Sequence, residues 1–403
     1  MSLSKLIINI ANVGTNTQPI TGDYVSGMIF YNATLPYSGW TIQQIGSVQD
    51  LSSMGITASA TGTSANAYYQ ISQFFNQNPT GTLFVDFATG TTSSATTFTE
   101  IVNMQIFAQG SIKQFGIVMN SGGLIATDVS ALQTIANTLK NTYYSPAQII
   151  YSPNVVSFVI GSATNLNTFN ASNVSVCIGS DASTYGQGNS LTTTLGYTAS
   201  MIGSLLGLVS SVPVNQDVAQ PINLYNLSNG TEYVTVKIGN TLLSNVTPTQ
   251  QDTLDTNGYI FIRQIMNVSG SYVSQDKVSN STIPAINNIT GVNGTLVDCI
   301  HYERVLNKAF RSVYVDMITK LNSGIVIDTK TGLMDKTTIS VWENDASNTA
   351  NQMVINNEIS GLEVIINPNQ NVLLTNQLIA TMEIVPYATI YTITVNIGFA
   401  QNF

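Results

Sequence analysis

The sequence predicts a multidomain α/β (α+β) fold in which mixed sheets are flanked by helices and both ends of the chain are extended strand arms. Three observations predict it. Apolar runs of strand length alternate with helical segments through the first part of the chain. A helix of about six turns, with apolar residues at mostly three- and four-residue steps, opens the last hundred residues. The chain then closes on a run that alternates between apolar and polar side chains, the period of a strand with one buried face.

Residues 1–23 read as an extended arm, with Leu6, Ile8 and Ile10 alternating with Ile7, Asn9 and Ala11 before Gly14, Asn16, Pro19 and Gly22 punctuate the segment. Gly27–Tyr31 is a short strand, and Ser47-Val48-Gln49-Asp50-Leu51 feeds a helical turn. Tyr68, Ile71, Phe74 and Phe75 give Ala65–Asn76 a helical stripe, and Leu83–Phe87 reads as a buried strand. The Thr/Ser-rich stretch 89–99 is expected as a loop, Phe115–Met119 as a strand, Asp128–Tyr143 as a helix and Ala147–Tyr151 as a strand. Further strands are expected over 174–178, 233–238 and 259–265, with a small-residue helix over 195–209.

Asp298 is a plausible N-cap for the long helix, which runs through Ile300, Leu306, Phe310, Val313, Met317 and Leu321 to a stop at Gly324. A strand at Ile325–Ile327, a turn, a helix over 339–357 and strands over 362–366 and 378–385 follow. In the last segment Tyr391, Ile393, Val395, Ile397 and Phe399 share one parity against Thr392, Thr394 and Asn396. Such a strand needs a partner for its backbone groups, either in its own domain or in a neighbour.

Composition narrows the function. Only 8% of the 403 residues are charged while 42 are Asn, so the exterior is neutral amide and hydroxyl rather than ionic. Low hydrophobicity with high net charge marks disorder, and this chain has neither, so it folds around a sizeable core. A net charge of −9 opposes contact with a phosphate backbone, so nucleic acid is not an expected partner. The apolar run Met201–Val209 falls short of a membrane span and the apolar stretch after Lys5 is too short for an export signal, so neither membrane insertion nor secretion is expected. Two cysteines, Cys177 and Cys299, make no disulfide framework.

Catalytic patterns are sparse. The one histidine, His301, forms His-x-Glu with Glu303 and has Cys299 two residues away, but the Pro-Cys-x-x-Cys that completes a zinc deaminase site is missing. A partly exposed helix histidine is the plainer reading. No nucleophile elbow, phosphate-binding loop or dinucleotide fingerprint occurs, and Asp252 with Asp255 is a commonplace acidic pair in a turn-rich stretch. No catalytic residue, metal or cofactor is therefore expected. Six of the twelve basic residues fall between Arg304 and Lys336, and Arg304, Lys308 and Arg311 share a helix face at i, i+4 and i+7. That face is either solvated or docks on an acidic partner.

The order of these features resembles the tail sheath proteins of contractile phage tails and related injection machines. At the front the likeness rests on Ser47–Leu51 with Met54-Gly55, on Phe74-Phe75-Asn76 and on Gly81-Thr82-Leu83-Phe84-Val85. At the back it rests on the helix carrying Arg304 and Arg311, on Ile325–Asp328, Ile359-Ser360-Gly361, Val364–Pro368 and Glu383-Ile384-Val385-Pro386, and on the final Thr392–Phe399. The resemblance implies a non-enzymatic structural subunit of a virion tail, assembled in the host cytoplasm. It implies an arm over 1–23, an α/β body over 24–285 with room for an outward-facing insertion around 90–280, and a C-terminal domain over 286–403 whose strand 390–399 crosses to another subunit.

The partners it implies are other copies of the chain, in hexameric rings stacked as a helical homopolymer, together with the tail tube, baseplate and terminator proteins. Leu6, Ile8 and Ile10 at one end and Tyr391, Ile393, Val395, Ile397 and Phe399 at the other become the exchanged strands, and Arg304, Lys308 and Arg311 a face for the tube or a neighbour. A secreted β-rich binding protein and another tail or baseplate component are the alternatives.

Overall fold

The computed structural model describes residues 22–57, 62–89, 97–122, 126–181, 199–220, 233, 235–284 and 295–391. They fall into two compact units, Met1–Tyr314 and Val315–Phe403.

The first unit is built on β1 (Val25–Tyr31), β2 (Gln43–Ile45), β3 (Thr82–Ala88), β4 (Gln114–Met119), β5 (Gln148–Ser152) and β6 (Val174–Cys177). The short strands β7 (Gly179–Asp181), β8 (Ala199–Ser200), β9 (Val236–Ile238), β10 (Thr241–Leu242), β11 (Tyr259–Ile260), β12 (Ile262–Arg263) and β13 (Tyr272–Val273) follow, then β14 (Lys277–Pro284) and β15 (Thr295–Cys299). Seven of them make one sheet in the order β11-β6-β5-β4-β1-β3-β2. Every pairing in it is parallel except that of the edge strand β2.

A parallel sheet needs cover on both faces, and the sequence supplies it. All seven residues of β1 are buried. Met28 and Phe30 pack on one face against the helices Gly62–Gln77 and Ile202–Ser211. Val25, Ile29 and Tyr31 pack on the other against Thr99–Phe107 and Ala126–Asn141. Gly203 and Gly207 let the Ile202–Ser211 helix approach its neighbour closely, because a Cβ on Gly203 would sit 2.1 Å from the Gln70 carbonyl oxygen and one on Gly207 2.6 Å from that of Phe74. The small residues expected as a helix are therefore a contact surface as well.

The strands expected over 83–87, 115–119, 147–151 and 174–178 form within a residue or two of those bounds, as does the helix expected over 128–143, and the helix expected over 65–76 runs from Gly62 to Gln77. Elsewhere the structure corrects the sequence reading. The Thr/Ser stretch gives way to a helix from Thr99, the small-residue helix starts at Ile202, and Tyr259–Ile265 splits into β11 and β12. Asp252 and Asp255 lie on the helix Pro248–Thr256, which opens with a capping box between Thr247 and Gln250 and is no turn-rich stretch. Asp298 belongs to β15 and does not cap the helix Ile300–Ile318. Asp276 meets its first turn instead, accepting from the backbone N–H of Ile300 through its carbonyl and of His301 through its carboxylate.

The second unit holds the helices Lys336–Ser347 and Asn351–Ile355, where a single helix over 339–357 is expected, and the antiparallel pair β16 (Gly361–Ile366) and β17 (Ala380–Val385). Asp335 caps the first helix by accepting from the N–H groups of Thr337 and Thr338. Ile325–Ile327 makes no strand, only a single bridge from Ile327 to Met334. Met334, Ile339 and Ile366 form the buried centre, with Ile325, Trp342, Val372 and Leu378 against it. No helix among the described residues is long and apolar enough to cross a membrane.

Candidate functional site

The second unit offers the first candidate surface. In β16–β17 the register runs from Gly361 opposite Val385 to Ile366 opposite Ala380. Val364 and Ile366 turn inward, and the Ile366 N–H donates to Glu343 Oε1 at 2.9 Å. Outside that small core the unit leaves Leu321, Val326, Ile355, Leu374, Val385 and Ile390 exposed, Leu374 by 78% and Ile390 by 76%. The described sheet has two strands and hence two outer edges. Tyr391 is exposed, while Leu6, Ile8, Ile10, Ile393, Val395, Ile397 and Phe399 lie outside the described residues.

The second candidate is the basic face of the Ile300–Ile318 helix. The predicted spacing holds, but the three side chains are engaged within the first unit. Arg304 is buried and donates to the carbonyls of Val212 and Pro213. Arg311 donates to the carbonyl of Pro146 at 2.7 Å, and Lys308 to Asp23 Oδ2 at 2.6 Å. Burial alone would raise the Asp23 carboxyl, but Lys308, Arg311 and Arg304 outweigh it and hold it below its ordinary value. Lys113 joins the group and is brought down to about 7 by burial and by Arg311 and Lys308, with Asp23 opposing. Asp23 and Lys113 carry no local signal in the sequence, since their partners lie at distant positions.

The third candidate surrounds His301, which is 1% exposed rather than on a helix surface. Its Nδ1–H donates to Asp276 Oδ2 at 2.6 Å, and its Nε2 lies 3.6 Å from Cys299 Sγ. Burial works against the imidazolium, but the Asp276 carboxylate wins and raises the His301 pKa. Burial and the Asp276 carboxylate push Asp217 up to about 7. On the same helix, burial and then Asp298 push Glu303 up to about 8, while Asn173 Nδ2 donates to it at 3.2 Å. Burial raises Asp298 to about 6 against the hydrogen bond from Asn280.

One donor each from Asp276, Cys299 and His301 lies within 4.8 Å of the others, the spread of a small metal site. Asp276 is already committed to Nδ1 at hydrogen-bond distance, which leaves a thiol and Nε2 as a two-donor set. Zinc sites take three or four protein ligands, so a buried ion pair describes this cluster better than a metal centre. All three side chains are buried, His301 and Cys299 each 1% exposed and Asp276 2%.

Among curated proteins no relative matches the chain. The solved sheath of an extracellular contractile injection system, PVC, in its contracted state, is 12% identical, with a TM-score of 0.60 over 100% of this chain and 99% of that one. The contracted helical sheath of the anti-feeding prophage (AFP) is 11% identical, with a TM-score of 0.56 over 98% and 100%. The sheath tail protein of Desulfitobacterium hafniense is 10% identical, with a TM-score of 0.53 over 93% and 99%. The fold is thus the one that contractile sheath proteins share, a mixed α/β chain with several sheets flanked by helices. The model of the DUF2586 N-terminal domain matches residues 3–277 and that of the DUF2586 C-terminal domain residues 298–403, and the chain belongs to this family.

Proposed function

We propose that the chain is the structural subunit of a contractile tail sheath, a non-enzymatic protein that polymerises around a tail tube and contracts to drive the tube through a cell envelope. The observation that carries this reading is the β16–β17 pair. A two-stranded sheet is marginal by itself in water, and this one stands in a unit whose buried apolar residues, among them Met334, Ile339, Met353, Ile359 and Ile366, lie beside many exposed apolar side chains. Strands from elsewhere would complete it. The alternating segments 6–10 and 391–399 have the pattern of such strands, with main-chain hydrogen bonds giving affinity and alternate side chains giving register. Arms passed head to tail between copies generate a helical lattice where the rotation does not close.

The composition supports repacking of such a lattice. In a homopolymer each surface charge meets its own copies, and a chain with only 8% charged residues limits that self-repulsion. Each ~100 Å² of apolar surface newly buried per subunit on contraction would contribute about 2.5 kcal/mol. The tube, a baseplate and a terminator are the remaining partners of this reading, in a tail assembled in the cytoplasm of a host.

Electron microscopy of the purified full chain tests it. Long hollow tubes are expected, and a version lacking 391–399 is expected to stay folded and soluble without forming them. Tubes from the shortened chain would show that this strand pairs within its own subunit. A baseplate role is the second reading, favoured by the fold likeness to a protein of the AFP baseplate at a TM-score of 0.60 and 12% identity. It predicts closed rings or wedges in the same images.

A further inference from the structure

Most charged side chains of the second unit are engaged within it. Lys320 pairs with Asp345 at 2.6 Å, Asp316 accepts from Thr349, Asp335 caps a helix and Glu343 holds the Ile366 N–H. Among the described residues of this unit three stand apart: the side chains of Lys330, Lys336 and Glu363 are exposed and make no hydrogen bond or ion pair. Two of them sit where their charge costs local stability. Glu363 is directly opposite Glu383 in the β16–β17 register, and like charges so placed destabilise an antiparallel pair. Lys336 opens the helix Lys336–Ser347, at the positive end of its dipole. Lys330 is held on a tight turn, where its N–H donates to Asp328 Oδ1 at 2.7 Å, the Gly332 N–H to the Asp328 carbonyl at 2.8 Å and the Asp328 N–H to the Leu333 carbonyl at 2.8 Å. The backbone under that charge is already ordered, which lowers the cost of binding through it.

The surroundings of the two charges are complementary. Alternate residues of a strand share a face, so Glu363 lies with Ile365 on the side of β16 away from the buried Val364 and Ile366. Ile365 and, on the neighbouring strand, Val385 are exposed. Val326 is exposed at the foot of the Lys330 turn, where its carbonyl accepts from the Asp335 N–H. One surface is thus apolar and acidic, the other apolar and basic, and the same chain carries both. We infer that the outer face of β16–β17, centred on Glu363, receives Lys330 and Lys336 of a second copy of this chain. The contact rests on the self-assembly proposed above and is separate from the exchange of strands, since it uses a face of the sheet and not its edges. It is head to tail, because the two surfaces differ, and its charges give register and specificity while the apolar rim excludes water.

Charge reversal in the full chain tests it, with polymer measured by sedimentation and electron microscopy. Glu363→Lys in one variant, and Lys330→Glu with Lys336→Glu in another, are each expected to raise the concentration needed for assembly about tenfold, since like charges then face one another. An equal mixture of the two variants restores opposite charges at every contact and is expected to assemble as wild type does, the two chains alternating. All three positions are exposed, and thermal midpoints equal to that of wild type check that the variants fold. Should a reversal disturb folding, Glu363→Gln keeps the shape without the charge and is expected to raise the same concentration about threefold. Assembly of folded variants at the wild-type concentration overturns the contact and leaves the sheath reading standing. Folded variants that fail alike alone and mixed overturn the second copy as occupant. A wild-type chain that never assembles overturns the occupant and the sheath reading together.

Discussion

Lys308 Nζ lies 2.6 Å from Asp23 Oδ2 across 285 positions of sequence, and Arg311 Nη2 stands 3.8 Å from the other oxygen of the same carboxylate. Asp23 lies two residues before β1, so the pair ties the approach to that strand to the Ile300–Ile318 helix. Replacing the carboxylate by an amide would remove the counter-charge that Lys308 and Arg311 share. Because 29% of the Asp23 side chain remains exposed, solvent discounts the cost of a fully buried broken pair. Asp23→Asn is expected to lower the unfolding free energy by about 1–3 kcal/mol in urea at neutral pH. The Asp23 pKa is depressed, so its contribution is present above the unfolded value of 3.8 and is lost as pH falls through the lower folded value. The gap between variant and wild type should therefore close in acid; a gap that persisted there would mean the amide acts by packing.

The contact between the Gly62–Gln77 and Ile202–Ser211 helices depends on the missing side chain of Gly203. A methyl group there would overlap the backbone at Gln70, which a rotamer change cannot relieve, since the nearest atom is a carbonyl oxygen at 2.1 Å. Gly203→Ala is expected to cost about 3 kcal/mol by overpacking. Gly161→Ala is the control, because a Cβ at that position meets nothing within 4 Å, and it should change stability by less than about 0.5 kcal/mol. Equal denaturation midpoints for the two variants would show that the helices separate at little cost.

Much of the central sheet was legible because its strands are covered on both faces and so read as unbroken apolar runs, as in Leu83–Phe87 and Phe115–Met119. The helix Thr99–Phe107 was not, because it follows a Thr/Ser run that hides its start, and its N-cap position is Phe98, which offers no capping side chain. Pro248–Thr256 carries a readable capping box, Thr247 with Gln250, just ahead of the acidic pair on the same helix. At the candidate sites, spacing predicted a shared face for Arg304, Lys308 and Arg311 but not what that face meets. Their partners come from Asp23, Pro146 and the 212–213 turn, and such long-range pairings leave no local pattern. His301 has the same explanation, since Asp276 reaches it from the segment before β14. The assembly strands stayed legible only as alternation, which fixes a buried face and not whose sheet supplies it.

The buried acids around the Ile300–Ile318 helix give stability a dependence on pH whose sign can be worked out. Glu303 holds its proton in the folded chain up to about 8, Asp217 to about 7 and Asp298 to about 6, whereas in the unfolded chain the three titrate near 4. Between those values the folded state binds more protons, so each step up in pH costs stability. His301 acts in the same direction: its pKa is raised above 6.5, so its contribution is full below that value and is lost as pH rises through the folded one. Lys113 opposes them above about 7, where the folded chain holds fewer protons than the unfolded one. The thermal midpoint is therefore expected to be highest near pH 5 and to fall toward neutrality, with a loss in unfolding free energy on the order of 2–4 kcal/mol. Glu303→Gln keeps an oxygen for the Asn173 donor and removes the largest of the titrations. In calorimetric scans across this range the variant should match wild type near pH 5, exceed it near pH 8 and show a flatter profile. A wild-type midpoint that rose steadily from pH 5 to 8 would mean that these carboxyls are ionised in the folded protein.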